Sequence, residues 1–168
     1  MLKIAVGALC LTLFVPTTHA GKEENAAPHE NVALILRAVL EGMFPDGTRF
    51  TAIVRQEPRS VPKERADLLH GVDDGSPRAV VVEVCLVLAG RRLVAPAGAV
   101  EDLSNAVLEG TLLVRHSPEG LSVLAFHGGD GAAAYDASFY FDRKALVRRE
   151  LAEIDESGER VVHVSKYR

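Results

Sequence analysis

Between Leu121 and Asp142 the chain reads LSVLAFHGGDGAAAYDASFYFD. In its second half Tyr135, Ala137, Phe139 and Phe141 alternate with Asp136, Ser138, Tyr140 and Asp142. A period of two marks a half-buried strand, because successive side chains leave opposite faces of the pleat. The first half, Leu121 to Phe126, is apolar on both faces apart from Ser122 and suits a strand inside a sheet. Gly128-Gly129-Asp130-Gly131 connects the two halves. The stretch therefore predicts a β-hairpin, with Phe139 and Phe141 in the core and Tyr140 facing outward.

The flanking sequence adds more strands. Thr48 to Arg55, Ala79 to Leu88, Leu93 to Ala95, Thr111 to His116 and Arg160 to Tyr167 are bounded by turn residues such as Pro45-Asp46-Gly47, Ala89-Gly90 and Ser117-Pro118-Glu119-Gly120. Ala145 to Ile154 has helix-forming residues, but it lies between two strands with turn-length gaps and is read as a strand. Pro62 to His70 predicts a short helix inside the long connection from Gln56 to Arg78, and Val100, Leu103 and Val107 predict another within 96–110. The principal helix is expected from Pro28 to Met43. There Val32, Ile35, Leu36, Val39, Leu40 and Met43 recur at helical spacing, Pro28 suits the first turn, and Gly42 and Pro45 end it.

These elements predict an α+β fold, with an N-terminal helix packed on a mainly antiparallel β-sheet (a meander), in a single domain. In layout alone this resembles the helix-gripping α+β folds, cystatin-like ones included. A shared layout implies no activity.

The N-terminus reads as a leader. Lys3 precedes an apolar run from Ile4 to Val15, Pro16 interrupts it, and Thr18-His19-Ala20 places small residues at the −3 and −1 positions. This is the pattern of a secretory signal cleaved after Ala20, so residues 1–20 are a signal peptide and 21–168 the folded domain. The apolar run is too short to span a bilayer, and no transmembrane segment is expected after cleavage. The protein is then periplasmic or secreted.

The formal net charge is −4, and Lys3 is the only charged residue in the leader, so the mature chain is more acidic still. An acidic chain without Trp offers neither the electrostatic footprint nor the stacking platform of a nucleic-acid binder. Cys85 is the only cysteine beyond the leader, which excludes an intramolecular disulfide. Inside Val84-Cys85-Leu86 it reads as a small buried hydrophobe.

No motif specifies a reaction. Gly128-Gly129-Asp130-Gly131 starts like a calcium-binding nonapeptide, but Ala133 stands where the liganding Asp belongs. It also brushes the Gly-Gly-Asp-Glu-Phe signature of diguanylate cyclases, but Gly131 and Ala132 replace the Glu and Phe. The histidines lack HExxH or HxH spacing, and there is no GxSxG elbow. His116 and His127 fall at opposite ends of one hairpin and cannot share a metal. Arg91-Arg92 and Arg148-Arg149 each send one member to either face of a strand. No cofactor or metal is implied.

The candidate binding residues are His127, Gly128, Gly129, Asp130 and Asp136 at the hairpin tip. The sequence thus reads as a small exported binding or interaction module without catalysis, taking an unidentified protein, peptide or small apolar ligand. The alternatives are a small enzyme with its site near the His127–Asp136 loop, and a structural component of an envelope complex.

Overall fold

The computed structural model describes residues 36–59, 61, 63–66, 68–72, 77–129, 133–155 and 157–167. They form ten strands in two antiparallel sheets. The first sheet is a meander of β1 (Arg37–Met43), β2 (Arg49–Pro58), β3 (Ala79–Leu88) and β4 (Arg91–Val94). The second has the order β10 (Arg160–Lys166), β9 (Leu146–Ile154), β8 (Tyr135–Phe141), β7 (Ser122–Gly128) and β5 (Ala106–Val107). β6 (Leu113–His116) pairs with the other half of β7. Helix is confined among the described residues to α1 (Lys63–Ala66), a 3-10 turn at Ala97–Ala99 and the 3-10 residue Ala133.

The expected α+β arrangement is therefore overturned: among the described residues no helix packs on either sheet. Of the expected Pro28–Met43 helix, residues 28–35 lie outside the described residues. The rest is β1, paired residue by residue with β2 from Arg37↔Arg55 to Met43↔Arg49. A short apolar run satisfies both the helical and the strand period, and pairing with a neighbour decides between them. Gly42, read as a helix terminator, is a strand residue lying under its cross-strand partner Phe50. A Cβ at position 42 would stand 2.5 Å from the Phe50 ring. The 96–110 helix also fails, since this segment crosses from the first sheet to the second with one 3-10 turn. The helix-gripping likeness falls with the helix.

The central hairpin forms as expected: β7 and β8 pair from Ser122↔Phe141 to Gly128↔Tyr135. The doubtful 145–154 segment is β9. Phe139 and Phe141 are fully buried, but what faces them is the other sheet. One continuous core takes Ala52, Val54, Val84 and Leu86 from the first sheet and Leu124, Phe126, Phe139 and Leu151 from the second. Two half-apolar sheets cover each other, as in a sandwich. Gln56 ties them together. Its side chain is 1 % exposed, donates to the Ala106 carbonyl (3.0 Å) and accepts from the Ala106 N–H (3.1 Å). It sits at the register shift in β2, which turns the amide toward β5.

Two side chains are buried away from the core: Tyr140, expected to be exposed, and Cys85, expected to be buried. Tyr140 points outward but is 6 % exposed, because the Arg148 guanidinium lies 4.0 Å above its ring and its hydroxyl donates to Glu150 (2.5 Å). Cys85 is buried, yet it lies on the outer face of β3, between Ile53 and Val94 and outside the core cluster. Arg92 reaches over it while pairing with Glu83, and Glu83 also meets Arg55. Desolvation raises the thiol's pKa, so Cys85 stays protonated.

Candidate functional site

The hairpin connections alternate between the two ends of the sandwich. At one end lie the β1–β2, β3–β4, β6–β7 and β8–β9 turns. At the other lie the β7–β8 and β9–β10 turns and the long connection from β2 to β3. These ends differ in chemistry.

The first end is open. Its four turns enclose a groove of about 790 Å³, lined by residues from both sheets. Leu88 and Leu121 supply apolar surface, and Phe141, with no exposure of its own, borders the groove from within the core. Around them stand Asp46, His116, Arg91, Asp142 and Arg143. The two carboxylates serve their own turns. Asp46 accepts the Thr48 N–H (2.9 Å), and Asp142 accepts the N–H groups of Lys144 (2.6 Å) and Ala145 (2.8 Å). These donors hold both carboxyls below the usual aspartate range. His116 stacks on Phe44 with ring centroids 3.8 Å apart. Arg91 and Arg143 make no hydrogen bond or ion pair with any described residue; Arg91 acts on Asp142 only through its field. A large, partly apolar concavity with a few polar groups is the ordinary form of a ligand site.

The second end is closed. Gly128 lies under the Tyr135 ring, where a Cβ would stand 2.1 Å from Tyr135 Cζ. Gly129 has a φ of +70°, and a Cβ there would meet the Ala133 carbonyl at 2.5 Å and the Gly71 Cα at 2.7 Å. The buried Tyr135 hydroxyl donates to the Ser104 carbonyl (2.9 Å), and desolvation holds the phenol protonated. Ser104 in turn donates to the His70 carbonyl through both its N–H and its hydroxyl. Two inward-facing charges of β9 complete the seal. Arg149 (5 % exposed) donates both terminal nitrogens to Asp102 at 2.6 and 2.7 Å, and one of them also to the Ala99 carbonyl at 3.0 Å. Glu153 meets His70 Nδ1 at 2.6 Å and lies 3.7 Å from His163. These charges stitch three segments together: the β2–β3 connection, the 97–105 crossing and β9–β10.

The candidate residues read from the sequence lie near this closed end. His127 and Asp136 are cross-strand partners on the outer face of β7–β8, with Nδ1 and Oδ1 3.1 Å apart, and Arg160 lies 3.5 Å from Asp136. All three side chains are well exposed. Gly128 and Gly129 occupy positions that Tyr135 and Gly71 crowd, so their identity has a packing cause. Asp130 lies outside the described residues. Among the described residues no three His, Cys, Asp or Glu side chains are placed to hold a metal ion, and no helix is long and apolar enough to cross a membrane.

The groove residues escaped the sequence reading. His116, Arg91, Asp46 and Asp142 each sit in or beside a recognised turn, and the available signal was strand parity. A count of strands places those turns at one end, but only pairing between sheets brings them into one concavity. Comparison with known protein families, with curated proteins and with solved structures finds no match to this chain.

Proposed function

We propose that this protein is an exported, non-catalytic binding module whose ligand seat is the groove between the four hairpin turns. The observation that supports it most is that turns from both sheets converge on one apolar-floored concavity. A rigid scaffold that presents loops at one end is a common way to carry recognition. The leader-like N-terminus supports export. The His127–Asp136 pair would be the centre of the alternative enzyme, but it lies on an exposed sheet face, where water competes for every interaction.

Chemical-shift mapping with a library of small fragments tests the reading. Hits should move the amides of residues 88–91, 116–122 and 141–143. Hits that cluster instead on His127, Asp136 and Arg160 would transfer the site to the hairpin's outer face.

A further inference from the structure

Resting on the groove as the ligand seat, we infer that it selects an amphipathic anion, a carboxylate on a short apolar body, with Arg91 and Arg143 holding the carboxylate. The inference comes from how the groove's charges are already committed. Four formally charged side chains line it: Asp46, Arg91, Asp142 and Arg143. The carboxylates are not available on equal terms, because the turn N–H groups of Thr48, Lys144 and Ala145 already donate to them. The guanidiniums have no such partner. Each carries five N–H donors and can accept none.

Five arginines elsewhere in the described structure are paired directly. Arg55 and Arg92 meet Glu83, Arg148 meets Glu119 and Glu150, Arg149 meets Asp102, and Arg160 meets Asp136. Arg91 and Arg143 line the groove without such a partner, and so leave charged donors facing it. A carboxylate matches a guanidinium in geometry as well as charge. The apolar remainder of the ligand meets Leu88 and Leu121. A cationic ligand would have to displace the turn hydrogen bonds of Asp46 and Asp142 or share their oxygens, with two guanidiniums opposing it.

Calorimetric titration of the purified protein with octanoate, octylammonium, octanol and inorganic phosphate tests this. Octanoate should bind most tightly, and raising salt should weaken it. Replacing both arginines (Arg91→Ala with Arg143→Ala) should weaken octanoate about tenfold or more while leaving octanol unchanged. Both side chains are exposed, so the variant should keep the wild-type melting temperature. Octylammonium binding more tightly than octanoate would overturn the inference, and so would an affinity for octanoate that the double replacement does not change. Equal binding of octanol and octanoate would leave the groove as a ligand seat but remove its preference for anions. Phosphate binding as tightly as octanoate would remove the apolar half of the claim. If none of the four binds, the groove reading fails along with it.

Discussion

At the closed end of the sandwich nearly every polar group is spent on the chain itself, whereas at the groove end two arginines and a stacked histidine face open space. Both ends are hairpin turns on the same two sheets, and both contain aspartates that cap turns: Asp46 and Asp142 at the groove, Asp155 opposite. The difference lies in what crosses between the sheets. At the closed end the 97–105 crossing brings Asp102 to Arg149 and Ser104 to Tyr135. Among the described residues no equivalent crossing fills the groove, so its walls are held apart by the sheets behind them. The closed end is where stability should concentrate, and the groove end is where substitutions should be tolerated.

At the closed end the largest effect should come from Asp102→Ala. It leaves Arg149 buried without its carboxylate, which typically costs about 3–5 kcal/mol. Urea denaturation measures it; a loss below about 1 kcal/mol would mean that water reaches Arg149 and the end is not sealed.

Gly128→Ala comes next. The added Cβ must displace the Tyr135 ring, and overpacking of this kind typically costs about 1–3 kcal/mol. A thermal melt that does not shift would show that Tyr135 can swing away, and the interlock with Gly71 would then be loose.

A third substitution separates the two faces of β8. Phe139→Ala in the core should cost about 3–5 kcal/mol. Tyr140→Ala, on the outer face, would rank as a surface change if it were exposed, within about 0.5 kcal/mol. Because Arg148 covers it, the expected cost is about 1.5–3 kcal/mol, the range for removing a buried large side chain. An Arg148→Ala background should shrink that cost, and failure to do so would argue against the cation–π cover.

Single replacements Arg91→Ala and Arg143→Ala at the groove should change stability by no more than about 0.5 kcal/mol in the same denaturation assay. A larger loss would make the groove a structural element like the opposite end.

The smallest effect is on pH dependence. Backbone N–H donors hold Asp46 and Asp142 below the usual aspartate range, and the Ser157 hydroxyl, with backbone N–H groups beside it, does the same for Asp155. Their contribution is therefore fully present above that range and is lost as pH falls through their lowered folded values. Asp142→Asn should flatten the acid limb of a melting-temperature profile slightly and leave the neutral limb unchanged. A change confined to neutral pH would contradict the turn-cap role.

Much of the strand content was legible in the chain itself. The alternation from Tyr135 to Phe141 and the unbroken apolar run from Ala79 to Leu88 are local patterns, and local patterns survive any tertiary arrangement. Turn chemistry was legible for the same reason: Ala89-Gly90 sits at positive φ for both residues, as a two-residue hairpin turn requires. The candidate site was less so. His127 and Asp136 were brought together by counting across a hairpin, whereas His70 and Glu153, 83 residues apart, meet only because two distant segments fold against each other.

The sequence by itself determined where most of the strands and turns fall, because a period of two and the backbone needs of Gly, Asn and Asp act over a few residues. Cys85 also reads as buried in its apolar run, but its cover is tertiary: on the outer face of β3 it lies between Ile53 and Val94, beneath Arg92. Only the tertiary structure decided that Arg37–Met43 is a strand, because an apolar run that fits both periods takes the form its hydrogen-bonding neighbour β2 imposes. It alone decided that Phe139 faces a second sheet and that Arg149 points inward to Asp102. Tertiary structure also determined that Arg91 and Arg143, 52 positions apart, border one groove. Each of those outcomes depends on a partner far along the chain, and no local pattern encodes that partner's position.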